Sequence, residues 1–237
     1  MALIGLAVAA LVLAMILLPQ MWVKRVMRRH GAERPDFPGT GGELASHLLQ
    51  HFGLSDFKVD LTDQGAEGAD HYDPESRTVR LSPSNFSGSS LTAVAVAAHE
   101  VGHAMQHHDG LNGRSDGGLQ FRQRMVRFAM ATDKIASVFF LAAPVLAVLA
   151  RTPIAFVMLV GFGVLLLAVR ILVHLVTLPV EYDASFARAL PILQEGGYLS
   201  DEDLPAARSV LKAAALTYVA SAVMSLIDLA RWIRIIR

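Results

Sequence analysis

The chain has 237 residues, 53% of them hydrophobic, no cysteine and a formal net charge of zero, with a mean hydropathy of +0.43. Without cysteine, disulfides and thiolate metal sites are excluded, so any bound metal must use His, Asp or Glu. The balanced charge carries no nucleic-acid signature, and apolar residues this abundant and this clustered exceed what an ordinary soluble domain holds.

Ala2 to Val23 is an almost uninterrupted apolar run, long enough to cross a bilayer. A secretory signal peptide would carry basic residues before such a run and a small-residue cleavage site after it. Here Lys24, Arg25, Arg28, Arg29 and Arg34 follow the run instead. Residues 1–23 therefore read as an uncleaved anchor, with Trp22 at the interface and the C-terminal end in the cytoplasm by the positive-inside rule. Residues 31–41 are a Pro/Gly-rich linker. Gly42–Phe52 reads as an amphipathic helix with Leu44, His47, Leu48 and His51 on one stripe. Phe57–Leu61 alternates as a strand, 64–70 is a polar loop, and Tyr72-Asp-Pro-Glu-Ser is a turn. Arg77–Ser82 alternates again as a second strand, whose edge is a candidate to pair with an extended substrate.

The next helix carries the chemistry. Leu91–Ala98 is apolar and alanine-rich, and the run continues without proline through His99-Glu100-Val-Gly-His103. In this H-E-x-x-H pattern the two imidazoles sit one turn apart on one helical face and can share a zinc ion. Glu100, between them, reaches the water that such an ion activates, and so serves as general base. His107, one turn beyond His103, reads as a solvated or supporting group.

Residues 24–134 thus form a cytoplasmic α+β catalytic part, ending in a basic, surface-lying helix with Arg122, Arg124, Arg127 and Lys134. Ile135–Ala150 and Ile154–Val169 are apolar, parted by Arg151-Thr-Pro153. They predict a transmembrane hairpin over 135–177, each arm slightly short unless helix extends at its ends. A hairpin returns the chain to the side it left. Glu181, in Leu178-Pro-Val-Glu-Tyr-Asp-Ala-Ser185, therefore shares a membrane side with His99 and His103, as a third ligand must. A catalytic zinc takes three protein ligands and one open position. His174 and Tyr218 are candidates to stabilise the oxyanion, His174 because ionisable residues near a span are functional by default. Residues 178–237 form a second cytoplasmic part: a connection over 191–209 and a last helix over Ala206–Ile236. That helix either packs on the domain, lies in the interface or forms a fourth span. Its basic end, Arg231, Arg234 and Arg237, argues against the span.

His71-Tyr-Asp-Pro, Val79-Arg-Leu-Ser, Ala97-Ala-His-Glu-Val-Gly-His-Ala-Met-Gln-His, Leu178-Pro-Val-Glu-Tyr-Asp-Ala-Ser and Leu216-Thr-Tyr-Val-Ala together resemble the YugP-type neutral zinc metallopeptidases of bacterial membranes. The resemblance runs from the first span to Tyr218. More distantly, H-E-x-x-H followed by Glu-Tyr-x-Ala is similar to the gluzincin membrane proteases, including the heat-shock HtpX and CaaX-processing enzymes. In those the glutamate opening the second motif is the third ligand, which implies Glu181 here. They commonly carry an aspartate four residues later. This chain has Ser185 there and Asp183 nearer the glutamate, leaving Asp183 open as either a ligand or a supporting group. The expectation is a mainly α, integral-membrane protein: transmembrane helices plus a small α+β zincin-like catalytic unit facing the cytoplasm from the bacterial inner membrane. Its cofactor would be Zn2+. Its partners would be the lipid bilayer and a peptide or membrane-proximal protein substrate, with no nucleic acid. The alternative is a non-catalytic membrane scaffold or adaptor keeping a structural metal site, against which an intact Glu100 argues.

Overall fold

A computed structural model describes residues 2–62, 70–112 and 152–224, with scattered positions between 124 and 146. Much of the expected basic helix before Lys134, most of the first hairpin arm and the basic C-terminal end lie outside the described residues. In chain order the elements are α1 (Ala2–Arg29), α2 (Gly41–His51), β1 (Lys58–Leu61), β2 (His71–Asp73), β3 (Thr78–Leu81), α3 (Pro83–Phe86), α4 (Leu91–Leu111), α5 (Pro153–Tyr182), a π-helix (Asp183–Ala189), α6 (Leu190–Glu195) and α7 (Leu204–Met224). The fold is mostly helical with a small mixed sheet, as expected.

The chain divides into two compact units. One comprises Met1–Met21, Arg122–Leu178 and Thr217–Arg237; the other comprises Trp22–Phe121 and Pro179–Leu216. In the first, the expected second hairpin arm is part of α5, which starts at Pro153 and continues without a break through Pro179. Ile154, Val157, Met158, Leu165 and Leu172 of α5 are exposed. Among the described residues one helical run, Gly161–Glu195, is long and apolar enough to cross a membrane, with a mean hydropathy of 2.2. The apolar run at the N-terminus forms most of α1, which also contains Pro19.

The second unit holds the H-E-x-x-H helix. Its sheet has the order β1-β3-β2. β1 pairs with β3 in parallel, Val59 opposite Val79, and β2 pairs with β3 antiparallel, Tyr72 opposite Val79. The segment expected to offer a free edge at 77–82 is therefore the central strand, with both edges paired. β1 and β2 are the outer strands. β2 stands where a turn was expected, because three residues are too few to display an alternation. The turn itself falls after it. Asp73 accepts there from the Glu75 amide (3.0 Å) and the Ser76 hydroxyl (2.6 Å), and Arg77 takes a left-handed φ of 52°.

Helix α2 starts on a capping box. The Glu43 amide donates to Thr40 Oγ1 (3.2 Å) and the Thr40 amide to Glu43 Oε2 (2.8 Å). The helix buries Gly41, Ala45, Leu48 and Leu49, a face rotated from the expected stripe. His47 and His51 instead stack on each other with ring centroids 6.1 Å apart. The small residues decide the rotation: a Cβ on Gly41 would lie 2.8 Å from the Ala93 carbonyl oxygen, so only the glycine face can approach α4 this closely. The linker after α1 is pinned rather than loose. The Arg34 amide donates to the Ser89 carbonyl (3.2 Å), and its guanidinium forks onto Asp203 at 2.8 and 3.1 Å. The connection before α7 contains the short helix α6, and α7 begins slightly ahead of its expected start. Ala207, Val210 and Leu211 of α7 join Leu48, Val79, Leu81, Val101 and Leu193 in one core.

Candidate metal centre

Helix α4 is capped by Ser90, whose hydroxyl accepts from the Ala93 amide (3.1 Å). It is buried on nearly all sides from Leu91 to Ala104, the pattern of a core helix rather than of an amphipathic one. Its alanines and Gly102 make that possible. A Cβ on Gly102 would lie only 2.7 Å from the Ala184 carbonyl oxygen. The glycine between the two histidines therefore marks the contact point between α4 and the π-helix.

The π-helix follows directly on Glu181 and Tyr182. The Leu190 amide donates to the Ser185 carbonyl, a five-residue step. The next residue, Pro191, has no N–H with which to restore the α register. Such π segments recur at functional sites. Here it carries Asp183, Ser185 and Arg188 along α4.

His99, His103 and Glu181 converge, each with side-chain donor atoms lying within 4.8 Å of those of the other two. Nε2 of His103 is 3.1 Å and Nε2 of His99 is 3.4 Å from Oε2 of Glu181. The three residues are each 2% exposed, and Glu100 is 6% exposed. Ligand bonds of about 2.0–2.1 Å in tetrahedral geometry place donor atoms roughly 3.3 Å apart around one zinc ion. The observed spacings bracket that value, so the residues fit the ion.

The outer nitrogens of both imidazoles are held. Nδ1 of His103 is 2.8 Å from Oε1 of Gln106. The Gln106 amide nitrogen donates to the Val180 carbonyl (2.9 Å) and to Oδ2 of Asp183 (2.7 Å). With both N–H groups committed, the atom facing His103 is an oxygen, which only accepts; Nδ1 must carry a proton, which in a neutral ring leaves the lone pair on Nε2. Nδ1 of His99 is 2.9 Å from Oγ of Ser185, whose hydroxyl donates to the Leu211 carbonyl (3.1 Å). That single hydroxyl proton is used on the carbonyl, so Ser185 accepts from His99. Both rings thus turn Nε2 toward Glu181 with Nδ1 protonated, the tautomer that a neutral metal-ligating imidazole takes.

Asp183, open as a ligand on sequence grounds, stands outside the three-residue cluster. Its Oδ2 takes Gln106 and Nε of Arg188 (2.9 Å), and Arg188 also reaches Asp109 (2.8 Å). Ser185, at the position where the resembling proteases carry an aspartate, contacts His99 directly. His174 lies on α5 and Tyr218 on α7, both in the other compact unit, and their side chains lie outside the described residues. His107 is half-buried: its Nδ1 is 2.7 Å from the Tyr72 hydroxyl, and its ring packs edge-on to Phe57. Burial, with Arg77 and His108 adding to it, pushes the His107 pKa below the ordinary histidine value. Sequence reasoning missed Gln106, although it lies one turn from His103 on the same face.

A buried, helix-borne histidine pair joined by a glutamate from a later segment is the donor arrangement of the zinc metallopeptidases. The chain belongs to the family described as "Putative neutral zinc metallopeptidase", which it matches over residues 4–237. It is similar to "Putative membrane protease YugP" of Bacillus subtilis (strain 168), 36% identical over 216 residues, covering 91% of this chain and 89% of that protein. No solved structure matches the chain.

Proposed function

We propose that this protein is a multi-pass, integral-membrane zinc metallopeptidase whose active site faces the cytoplasm close to the bilayer of the bacterial inner membrane. The observation that carries the reading is the convergence of His99, His103 and Glu181, with both Nε2 atoms turned inward and both Nδ1 atoms held by Ser185 and Gln106. Family membership supports the peptidase reading. The relative's name, a membrane protease, and the long apolar run Gly161–Glu195 support the membrane reading. The basic residues after α1 and the even number of spans expected between His103 and Glu181 support the cytoplasmic side.

His99, His103 and Glu181 would hold the ion. When bound, zinc polarises a carbonyl and makes water nucleophilic at neutral pH. Glu100 takes the proton from the attacking water and hands it to the departing amine nitrogen as the C–N bond breaks. Ser185 Oγ and Gln106 Oε1, accepting from the two Nδ1–H groups, keep both rings oriented. His174 and Tyr218 would stabilise the oxyanion, and the substrate would be a peptide or a membrane-proximal protein.

The test uses wild type, Glu100→Gln and Glu181→Ala purified in detergent, with bound zinc and cleavage of unfolded casein measured for each. Glu100→Gln should keep its zinc and lose about 10²–10⁴-fold in rate. Glu181→Ala should lose both metal and activity. Zinc-loaded wild type that leaves a broad peptide library uncut favours the scaffold reading. Wild type that binds no zinc refutes the metal centre. Release of the protein from membranes by a carbonate wash refutes the integral-membrane assignment.

A further inference from the structure

Gln106 does more than face one histidine. Its side chain is buried, and its hydrogen-bonding groups reach three partners on two segments: Nδ1 of His103 on its own helix, the Val180 carbonyl just before Glu181, and Oδ2 of Asp183 just after it. One amide thus touches a metal-binding histidine and both flanks of the metal-binding glutamate. Asp183 is in turn braced by Arg188, which is anchored to Asp109 on α4. The two ligand-bearing segments meet at Gly102 and Ala184 with no room for a Cβ, which fixes how near they come. It does not fix how Glu181 turns relative to His103; that is left to polar contacts.

Resting on the zinc-site reading above, we propose that Gln106 is a positioning residue that sets the register between the H-E-x-x-H helix and the Glu181 segment. In this assignment its two N–H groups matter as much as its oxygen. The distinction has a chemical test. A glutamate at this position keeps the length and an acceptor for His103. A carboxylate accepting from a ligating imidazole raises that ligand's basicity, so a residue that merely orients His103 would lose nothing by the change. A register-setting residue would lose its donors to Val180 and Asp183 and would meet the Asp183 carboxylate with like charge.

The experiment measures zinc affinity by competition with a chromophoric chelator, on the full chain in detergent at neutral pH. Helix content of the metal-free proteins is checked by circular dichroism. Gln106→Glu should bind zinc about 10–100-fold more weakly than wild type, with helix content unchanged. Gln106→Glu/Asp183→Asn, in which the new amide donates back to the new carboxylate while the contact to the Val180 carbonyl stays lost, should recover part of that loss. Gln106→Glu binding zinc as tightly as wild type, or more tightly, overturns the register role and leaves only orientation of His103. Failure of the double variant to recover any affinity also overturns it. Wild type without zinc overturns the metal-centre reading itself, an outcome distinct from the other two.

Discussion

Gly102→Ala is the substitution that separates the pattern of residues from the structure they build. The motif survives it, since any residue is allowed between Glu100 and His103 except at the ligand positions. Helix propensity even favours it, by about 0.8–1.0 kcal/mol for Gly to Ala in a helix interior. The packing does not. The new methyl would sit 2.7 Å from the Ala184 carbonyl oxygen and 3.3 Å from the Ala184 carbonyl carbon and Cα. A relaxed carbon–oxygen contact needs roughly 3.3 Å, so α4 and the π-helix must part by roughly 0.6 Å. The neighbour is backbone and cannot swing aside. Metal–ligand distances tolerate only about 0.2 Å, and Ala184 lies between Glu181 and Ser185, which hold the site from that side. Overpacking costs typically about 1–3 kcal/mol, so the propensity gain offsets much of the stability loss. The expected result is a metal-free protein that melts near wild type and binds zinc at least about 10-fold more weakly, as loss of a supporting contact alone would cause. Chelator competition and thermal melting by circular dichroism measure the two quantities. Gly102→Ala with wild-type zinc affinity would refute the close contact as a determinant of the site.

Ser185→Ala leaves Nδ1–H of His99 and the Leu211 carbonyl facing a methyl in a buried position. It should lower stability by about 1–3 kcal/mol and zinc affinity by about 10–100-fold, while Ser185→Thr should keep much of both; an affinity unchanged in Ser185→Ala would mean that His99 needs no partner. His107 supplies a pH dependence. Burial first, then the nearby Arg77 and His108 charges, lower its folded pKa, so the unfolded chain takes up this proton before the folded chain does. The contribution is complete above the unfolded value of about 6.5 and is lost as pH falls below it. Melting of the metal-free protein between about pH 5 and 8 should decline less steeply on the acid side in His107→Gln, and parallel profiles would contradict the assignment.

Much of this protein is written locally. The H-E-x-x-H helix follows from alanine-rich sequence without proline, and its period places His99 over His103 whatever surrounds them. The apolar runs announce long helices because composition alone makes them apolar, and two of the three strands show in their alternation. Glu181 was reachable through the number of spans expected before it and through the resemblance, not through a local period. What the sequence could not fix depends on contacts between segments far apart in the chain. His103 and Glu181 are separated by 78 positions, and no local period brings them together. Which oxygen faces which nitrogen is settled by Gln106 and Ser185, whose partners lie on Val180, Asp183 and Leu211. The π-helix ends just before Pro191, and on it Ser185 meets His99 while Asp183 meets Gln106 and Arg188. The central place of β3 likewise depends on pairing with β1 and β2, not on its own residues. Short-range periodicity selects helices and strands, because each residue there interacts with neighbours a turn or two away. The metal centre forms where packed backbones meet, and at Gly102 and Ala184 the absence of a single Cβ decides how closely they do.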